Sequence, residues 1–261
     1  MAGEAKIDPM HQFTIEPLFG TDHWAIGGYN IAFTNSALWM VLATIVIWGF
    51  VALGMKRQLV PGRWQMAVET MTGFIDNLLS ANVGPEGKRF VPYVFSLFMF
   101  ILVANLMGLV PLGLVGSHAF TFTSHFTATG VLAIMSFSIV LIVGFWRHKL
   151  HFFSLFVPHG TPWWLLWLIP IIEMVSFLVR PFSLGLRLFV AMMAGHILLE
   201  VLSSFVINSG NAGAGWGVLI GIPSFILMIG ISALELLVCV IQAYVFALLT
   251  SLYINDAVNL H

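Results

Sequence analysis

The stretch EMVSFLVRPFSLGLRLFVAMMAGHILLE, residues 173–200, decides how the chain is read. It lies inside an apolar run from Trp163 to Val206, yet it holds two arginines and two acids. Glu173, Arg180 and Arg187 follow one another at seven-residue steps. At about 100° per residue, seven steps fall about 20° short of two turns, so the three share one helix face. Ser176 and Ser183 fall between them and complete a polar stripe among Phe, Leu, Val and Met. An arginine at membrane depth costs roughly 2.5–3.5 kcal/mol on insertion scales, so it normally faces protein or water and marks a pathway.

The rest of the chain supplies the membrane. Of 261 residues 59% are hydrophobic and 8% charged, and the mean hydropathy is +0.99. Soluble proteins carry about 25% charged residues. Several apolar runs of spanning length point to an all-α, polytopic membrane protein. The expected organisation is a polar N-terminal segment, 1–32, and a single membrane helical domain, 33–261. The one cysteine, Cys239, lies in an apolar run and reads as a small buried residue, which excludes an intramolecular disulfide and a Cys-based metal cluster. The opening MAGEAKIDPMHQFTIEP has neither a basic segment followed by an apolar one nor an Arg-rich amphipathic pattern. No signal or transit peptide is expected, so the first apolar helix should direct insertion.

About five membrane helices are expected. The first runs from Phe33 to Met55 and is followed by Lys56, Arg57 and Arg63. Residues Gly62–Asn82 interleave Trp64, Met71, Ile75 and Leu79 with Glu69, Thr72 and Asp76, the pattern of an amphipathic helix lying at the interface. Further spans are expected at Tyr93–Val115 and Phe126–Trp146, joined by a charge-free connection, SHAFTFTSH. Seven of the ten Lys and Arg residues fall in 56–89 and 147–149. The positive-inside rule places both connections in the cytoplasm, or on the matrix side in an organelle, with the N-terminus outside and, after five spans, the C-terminus inside. His148, His151 and His159 read as headgroup-level residues, and Trp163, Trp164 and Trp167 as an interfacial belt.

The last two apolar runs, Trp163–Val206 and Gly217–Tyr253, are about twice the roughly 20 residues an upright span needs. Each could be two short spans or one long tilted helix. Pro170 and Pro181 allow bends, but no polar turn interrupts either run, and the only turn between them is NSGNAGAGWG. A C-terminal hairpin of two long tilted helices is the favoured reading, a shape suited to embracing another membrane object.

Other polar groups lie in these runs. His196 is nine residues after Arg187, about half a turn out of phase, and so faces nearly the opposite way. Glu200 follows His196 by one turn on the same side. Gly185, Ala191, Ala194 and Gly195 are small enough for another helix to approach closely. Glu235 and Gln242 share a face of the last run, and Asn105 is a lone amide in the second span. Each has a structural alternative. Arg180 could form an ion pair with Glu173, though a heptad apart the two should touch only through a bridge. His196 with Glu200 could be a satisfied hydrogen-bonded pair, and Asn105 could be interhelical glue. The set can relay protons, but it contains no nucleophile–base pair and no nucleotide loop.

These residues also carry a resemblance. SLGLRLFVAMMAGH (183–196) preceded by EMVSFLVRPFS, the C-terminal LELLVCVIQAYVFALLTSLYINDA (234–257) and NLMGLVP (105–111) resemble subunit a of F-type ATP synthases. The likeness covers the membrane portion from about residue 93 onward, and the N-terminal third agrees in layout only. It implies that Arg187 is the family's essential arginine, facing the proton-carrying carboxylate of a rotating ring of c subunits. It implies that His196 and Glu235 occupy two positions where family members exchange an acid and a histidine, here in the arrangement of mitochondrial and related bacterial forms. Gln242 matches a glutamine position of the family, and Asn105 a polar position of its proton-uptake path. Some relatives have an asparagine four residues after the arginine, where this chain has Ala191.

The resemblance further implies two offset proton half-channels. Glu235, His196, Gln242 and Asn105 would line the outer one, and Glu173 with Arg180 the inner one, with Glu200 added to the path. The implied partners are the c ring, peripheral-stalk b subunits, the other ATP synthase subunits, protons and the lipid bilayer. Neither nucleic acid, cofactor nor metal is expected, and ATP chemistry would occur elsewhere in the assembly. A bacterial cell membrane is the expected location ahead of a mitochondrial inner membrane. The competing reading, a stand-alone channel or transporter, would call for its own gate and usually an internal repeat, and no repeat is present. A haem-carrying anchor would need paired deep histidines, and only His196 is deep.

Overall fold

In a computed structural model, residues 14–15, 17–19, 25–26, 29–30, 33–55, 62–109, 121–149, 152, 163–165, 167–209 and 214–259 are described. The polar N-terminal segment forms short strands in two antiparallel ladders. β1 (Pro17–Phe19) pairs with β4 (Phe33–Thr34), and β2 (Ala25–Ile26) with β3 (Tyr29–Asn30). Among the described residues, those after Thr34 are helical or connecting: α1 (Asn35–Gly54), α2 (Arg63–Asn82), a 3-10 turn (Pro85–Phe90) leading into α3 (Val91–Leu109), a 3-10 turn (Phe122–Ser124), α4 (Phe126–His148), a 3-10 turn (Trp163–Leu165), α5 (Ile169–Ser209) and α6 (Ala214–Val258). Five of these helices are long and apolar enough to cross a membrane. Lys56, Arg57, the end of NLMGLVP, His151, His159 and the middle of the NSGNAGAGWG turn lie outside the described residues.

Local sequence explains the boundaries. Thr34 caps α1 by accepting the Ala37 N–H on its side chain, which satisfies one of the free donors of the first turn. Gly54 ends α1 where α2 returns beside it; a Cβ there would run into Val68. Helix α2 is amphipathic as its pattern predicts, with Ile75 and Leu79 buried one turn apart and Arg63 and Glu69 exposed. Pro181 in α5 and Pro223 in α6 are accommodated within continuous helices.

The two long helices settle the choice between hidden hairpins and single rods. Helix α5 has 41 residues and α6 has 45, neither interrupted. At 1.5 Å per residue they are about 60 and about 65 Å long, twice a bilayer core of about 30 Å. They pack side by side more extensively than any other pair of elements.

The buried face of α6 is written in its spacing. Glu235, Cys239, Ala243, Phe246, Thr250, Ile254 and Ala257 are all buried, at steps of four, four, three, four, four and three. That is an eleven-residue, three-turn repeat, so the stripe runs almost parallel to the helix axis. One apolar core takes Ile75 and Leu79 from α2, Phe98 and Ile101 from α3, Val140 from α4, Leu188 and Met192 from α5, and Phe246 from α6. Polar staples cross the same core: Ser136 with Thr250 at 2.9 Å between α4 and α6, and Asn82 with Ser251 at 2.7 Å between α2 and α6. Large apolar side chains elsewhere stay exposed, among them Ile45, Val131, Trp146, Ile172 and Leu237. An apolar surface of that extent suits a lipid bilayer or a membrane-embedded partner.

Candidate functional site

Two polar clusters sit on the α5–α6 hairpin, one at the middle of α6 and one near its C-terminal end. The first is built on His196, whose ring lies buried among four elements. Nδ1 is 3.0 Å from the Met192 carbonyl on its own helix and 2.6 Å from Oε1 of Glu235 on α6. Nε2 is 2.9 Å from Oγ1 of Thr121, in the connection before α4, and 3.3 Å from the carbonyl of Gly108 near the end of α3. Glu235 is close enough to exchange a proton with the imidazole, yet neither carboxylate oxygen has an aligned hydrogen-bond partner among the described residues. Asn105, one turn before Gly108, is fully buried and its amide likewise has none. Unpaired polar groups in a membrane interior are costly unless water reaches them.

Glycines make this cluster possible. A Cβ on Gly195 would stand 2.6 Å from Oε1 of Glu235, so only a glycine on α5 lets the carboxylate reach the imidazole. A Cβ on Gly108 would collide with Oγ1 of Thr121. Gly185 serves packing instead, since a Cβ there would meet the Thr129 carbonyl of α4 at 3.2 Å.

The second cluster joins the start of α5 to the end of α6. Arg180 binds Asp256 at 2.7 Å and Glu173 at 3.9 Å, with its guanidinium 5.7 Å from the Phe177 ring and 5.6 Å from the Tyr253 ring. The expectation that Glu173 and Arg180 touch only through a bridge is corrected. Seven residues leave their backbones two turns apart, but long side chains close that gap to a loose ion pair.

Arg187 belongs to neither cluster. It is exposed in line with Val190 and Ala194, half a turn from the buried His196, as the spacing predicts. Among the described residues it makes no hydrogen bond and no ion pair. The reason is register. His196 meets Glu235, Met192 meets Cys239 at 3.8 Å and Arg180 meets Asp256. Antiparallel packing therefore sets Arg187 level with the part of α6 near Tyr244–Leu249, which carries no acid. Gln242 is half-buried within about one turn of that level and forms no hydrogen bond among the described residues. Glu200 is half-buried one turn beyond His196, with Oε2 enclosed.

Thr121 and Asp256 are members that sequence reasoning missed. The connection holding Thr121 reads as an ordinary loop, but Thr121, Phe122, Thr123 and Ser124 are all buried. Its one signal is a charge-free run of hydroxyl and aromatic residues between spans. Asp256 sits in the INDA of the C-terminal motif, where an acid near a helix end draws no notice without the facing arginine. A further pair, Arg147 with Glu86, ties the end of α4 to the turn before α3 through two contacts. It neutralises one of the basic residues used to assign topology.

The sequence profile described as "ATP synthase A chain" matches residues 37–255, most of the chain. The chain belongs to the ATP synthase A chain family. Its similarity to individual members runs end to end. It is 72% identical to the ATP synthase subunit a of Novosphingobium aromaticivorans over 258 residues, covering 99% of each chain. It is 71% identical to that of Erythrobacter litoralis, covering 100% of each. To that of Bradyrhizobium diazoefficiens it is 46% identical, covering 97% of this chain and 98% of the relative. Membership makes the chain a multi-pass subunit of an ATP synthase membrane sector, in agreement with its five apolar helices.

Proposed function

We propose that this subunit is the stator element that protonates and deprotonates the carboxylates of a rotating c ring through two offset half-channels. The observation that carries the reading is Arg187, an exposed guanidinium that makes no hydrogen bond and no ion pair among the described residues. Arginine stays charged, and an unpaired charge at membrane depth needs an anionic partner from outside the chain. A ring carboxylate supplies it. That carboxylate must be neutral to face lipid, since an isolated ion there is far too costly. Opposite Arg187 it can ionise, lose one proton and later accept another.

In this reading His196, Glu235, Asn105 and Gln242 line the outer half-channel, with Glu200 beside it. Glu173 and Arg180 line the inner one, which Asp256 joins. Arg187 stands between the two and blocks direct passage, so a proton travels by way of the ring. Each charge crossing about 100 mV releases about 2.3 kcal/mol, so several combine per ATP. The N-terminus faces outward and the C-terminus the cytoplasm of a bacterium, with the long hairpin tilted along the ring. The b subunits of the peripheral stalk and the remaining ATP synthase subunits are the other partners. The subunit carries no ATP chemistry of its own.

The test is Arg187→Ala in the native membrane, with ATP-driven proton pumping and passive proton leak recorded together in inverted vesicles. Lost pumping in an assembled complex is expected, together with raised leak if Arg187 is the barrier. Normal pumping would overturn the reading at its centre.

A further inference from the structure

The surroundings of His196 are unequal in hydrogen-bonding character. A neutral imidazole has one N–H to give and one lone pair to satisfy, whereas its cation has two N–H groups. Nδ1 faces the Met192 carbonyl and, when Glu235 is ionised, a carboxylate oxygen, both of which only accept. Nε2 faces the Gly108 carbonyl, which only accepts, and the Thr121 hydroxyl, which does either. Thr121 is therefore the one group among the described contacts of Nε2 able to donate to its lone pair. Thr121 is held in place, buried, with its own carbonyl accepting the Ser124 hydroxyl and N–H. Only glycine at position 108 leaves room for its Oγ1.

We propose that Thr121 is a positioning residue of the outer proton path, a hydroxyl rotor that makes the neutral, Nδ1-protonated form of His196 satisfiable and so sets how readily the imidazole releases a proton. In the neutral form the Thr121 O–H donates to Nε2. When a proton arrives it bonds to Nε2 and gives the cation, offset by the Glu235 carboxylate. The hydroxyl then turns to accept, alongside the Gly108 carbonyl. On release the Nε2–H bond breaks and the hydroxyl turns back. The inference rests on the half-channel reading above.

Among the described residues, the other titratable groups near the ring are Glu235 and Cys239 on α6, Glu200 one turn along α5 and His125 in the same connection as Thr121. Burial pushes the His125 imidazole below its ordinary pKa. Helices α3 and α4 bring none at this depth, their Tyr93, Arg147 and His148 lying at the opposite end.

The test uses the whole complex in liposomes. ATP synthesis is driven by an imposed potential while the pH on the outer half-channel side is stepped across the neutral range. Thr121→Val keeps the shape but leaves the Nε2 lone pair against a carbonyl oxygen, so the neutral form is disfavoured and the proton is held more tightly. The expected result is about tenfold slower synthesis near neutrality and a pH profile displaced upward by about one unit, the size of effect of one unsatisfied buried acceptor. Thr121→Ser, which restores the hydroxyl, should return the wild-type profile. A Thr121→Val profile superimposable on wild type would overturn the proposal, as would a Thr121→Ser profile as displaced as that of Thr121→Val. If Thr121→Val does not assemble, Thr121→Ala is read by the same criteria. Glu235→Gln run in parallel separates the two levels. If it is impaired while Thr121→Val is normal, only the rotor is wrong; if it is also normal, the half-channel assignment fails.

Discussion

Nδ1 of His196 and Oε1 of Glu235 stand 2.6 Å apart across the α5–α6 interface, with side-chain exposures of 9% and 2%. The pair joins two helices whose residues are 39 positions apart in the chain, in the one place where a buried acid and a buried imidazole meet among the described residues. Glu235→Gln keeps the shape and removes the ability to take up a proton. ATP-driven pumping is expected to fall by about tenfold or more, as for the loss of a general acid–base group, with passive leak unchanged. Pumping at the wild-type rate would remove Glu235 from the path.

Gly195 should be intolerant for a steric reason. In Gly195→Ala the new methyl meets the Glu235 carboxylate at 2.6 Å, an overpacking worth about 1–3 kcal/mol. Either the carboxylate swings away or α5 and α6 separate, and pumping drops in both cases. Gly130→Ala on α4, where a Cβ has nothing within 4 Å, is the control. Equal pumping by the two variants would show that the close approach does not matter.

Arg180 couples the ends of the long hairpin. Its contacts with Asp256 and Glu173 are about one-third exposed, so their worth is discounted for solvent screening. Arg180→Gln and Asp256→Asn should each lower the thermal stability of the assembled membrane sector by about 0.5–1 kcal/mol. The double variant should lose little more than either alone, because both remove the same contact. Additive losses in this cycle would mean that the two residues act independently.

The Glu86–Arg147 pair predicts the opposite outcome. Both side chains are more than 40% exposed, and ion pairs of that kind contribute little. Glu86→Gln should leave assembly and pumping at wild-type level. A large loss on quantitative blotting of the membrane sector would show that a partner covers this face.

The sequence alone was sufficient for the class of fold and for the opposite facing of Arg187 and His196. Both depend on one-dimensional quantities: how many apolar residues run together, and the angle per residue along a single helix. Those quantities also favoured two unbroken rods over four short spans, since nothing in either run could satisfy the backbone of a turn inside lipid. The short strands before α1 left no such trace, because two-residue ladders need no periodic pattern.

Only the tertiary structure decided which polar groups meet. His196 has an acid one turn away on its own helix, yet it meets Glu235 on the next one. Arg180 takes Asp256 closely and Glu173 loosely, while Arg187, on the same helical face by count, is left without an ion pair among the described residues. These outcomes follow from the antiparallel register of α5 on α6 and from where glycine permits contact. Register is a relation between helices far apart in sequence. It is fixed by the fit of whole faces, with Glu235 of the α6 stripe seated against Gly195 of α5, and spacing within either helix does not contain it.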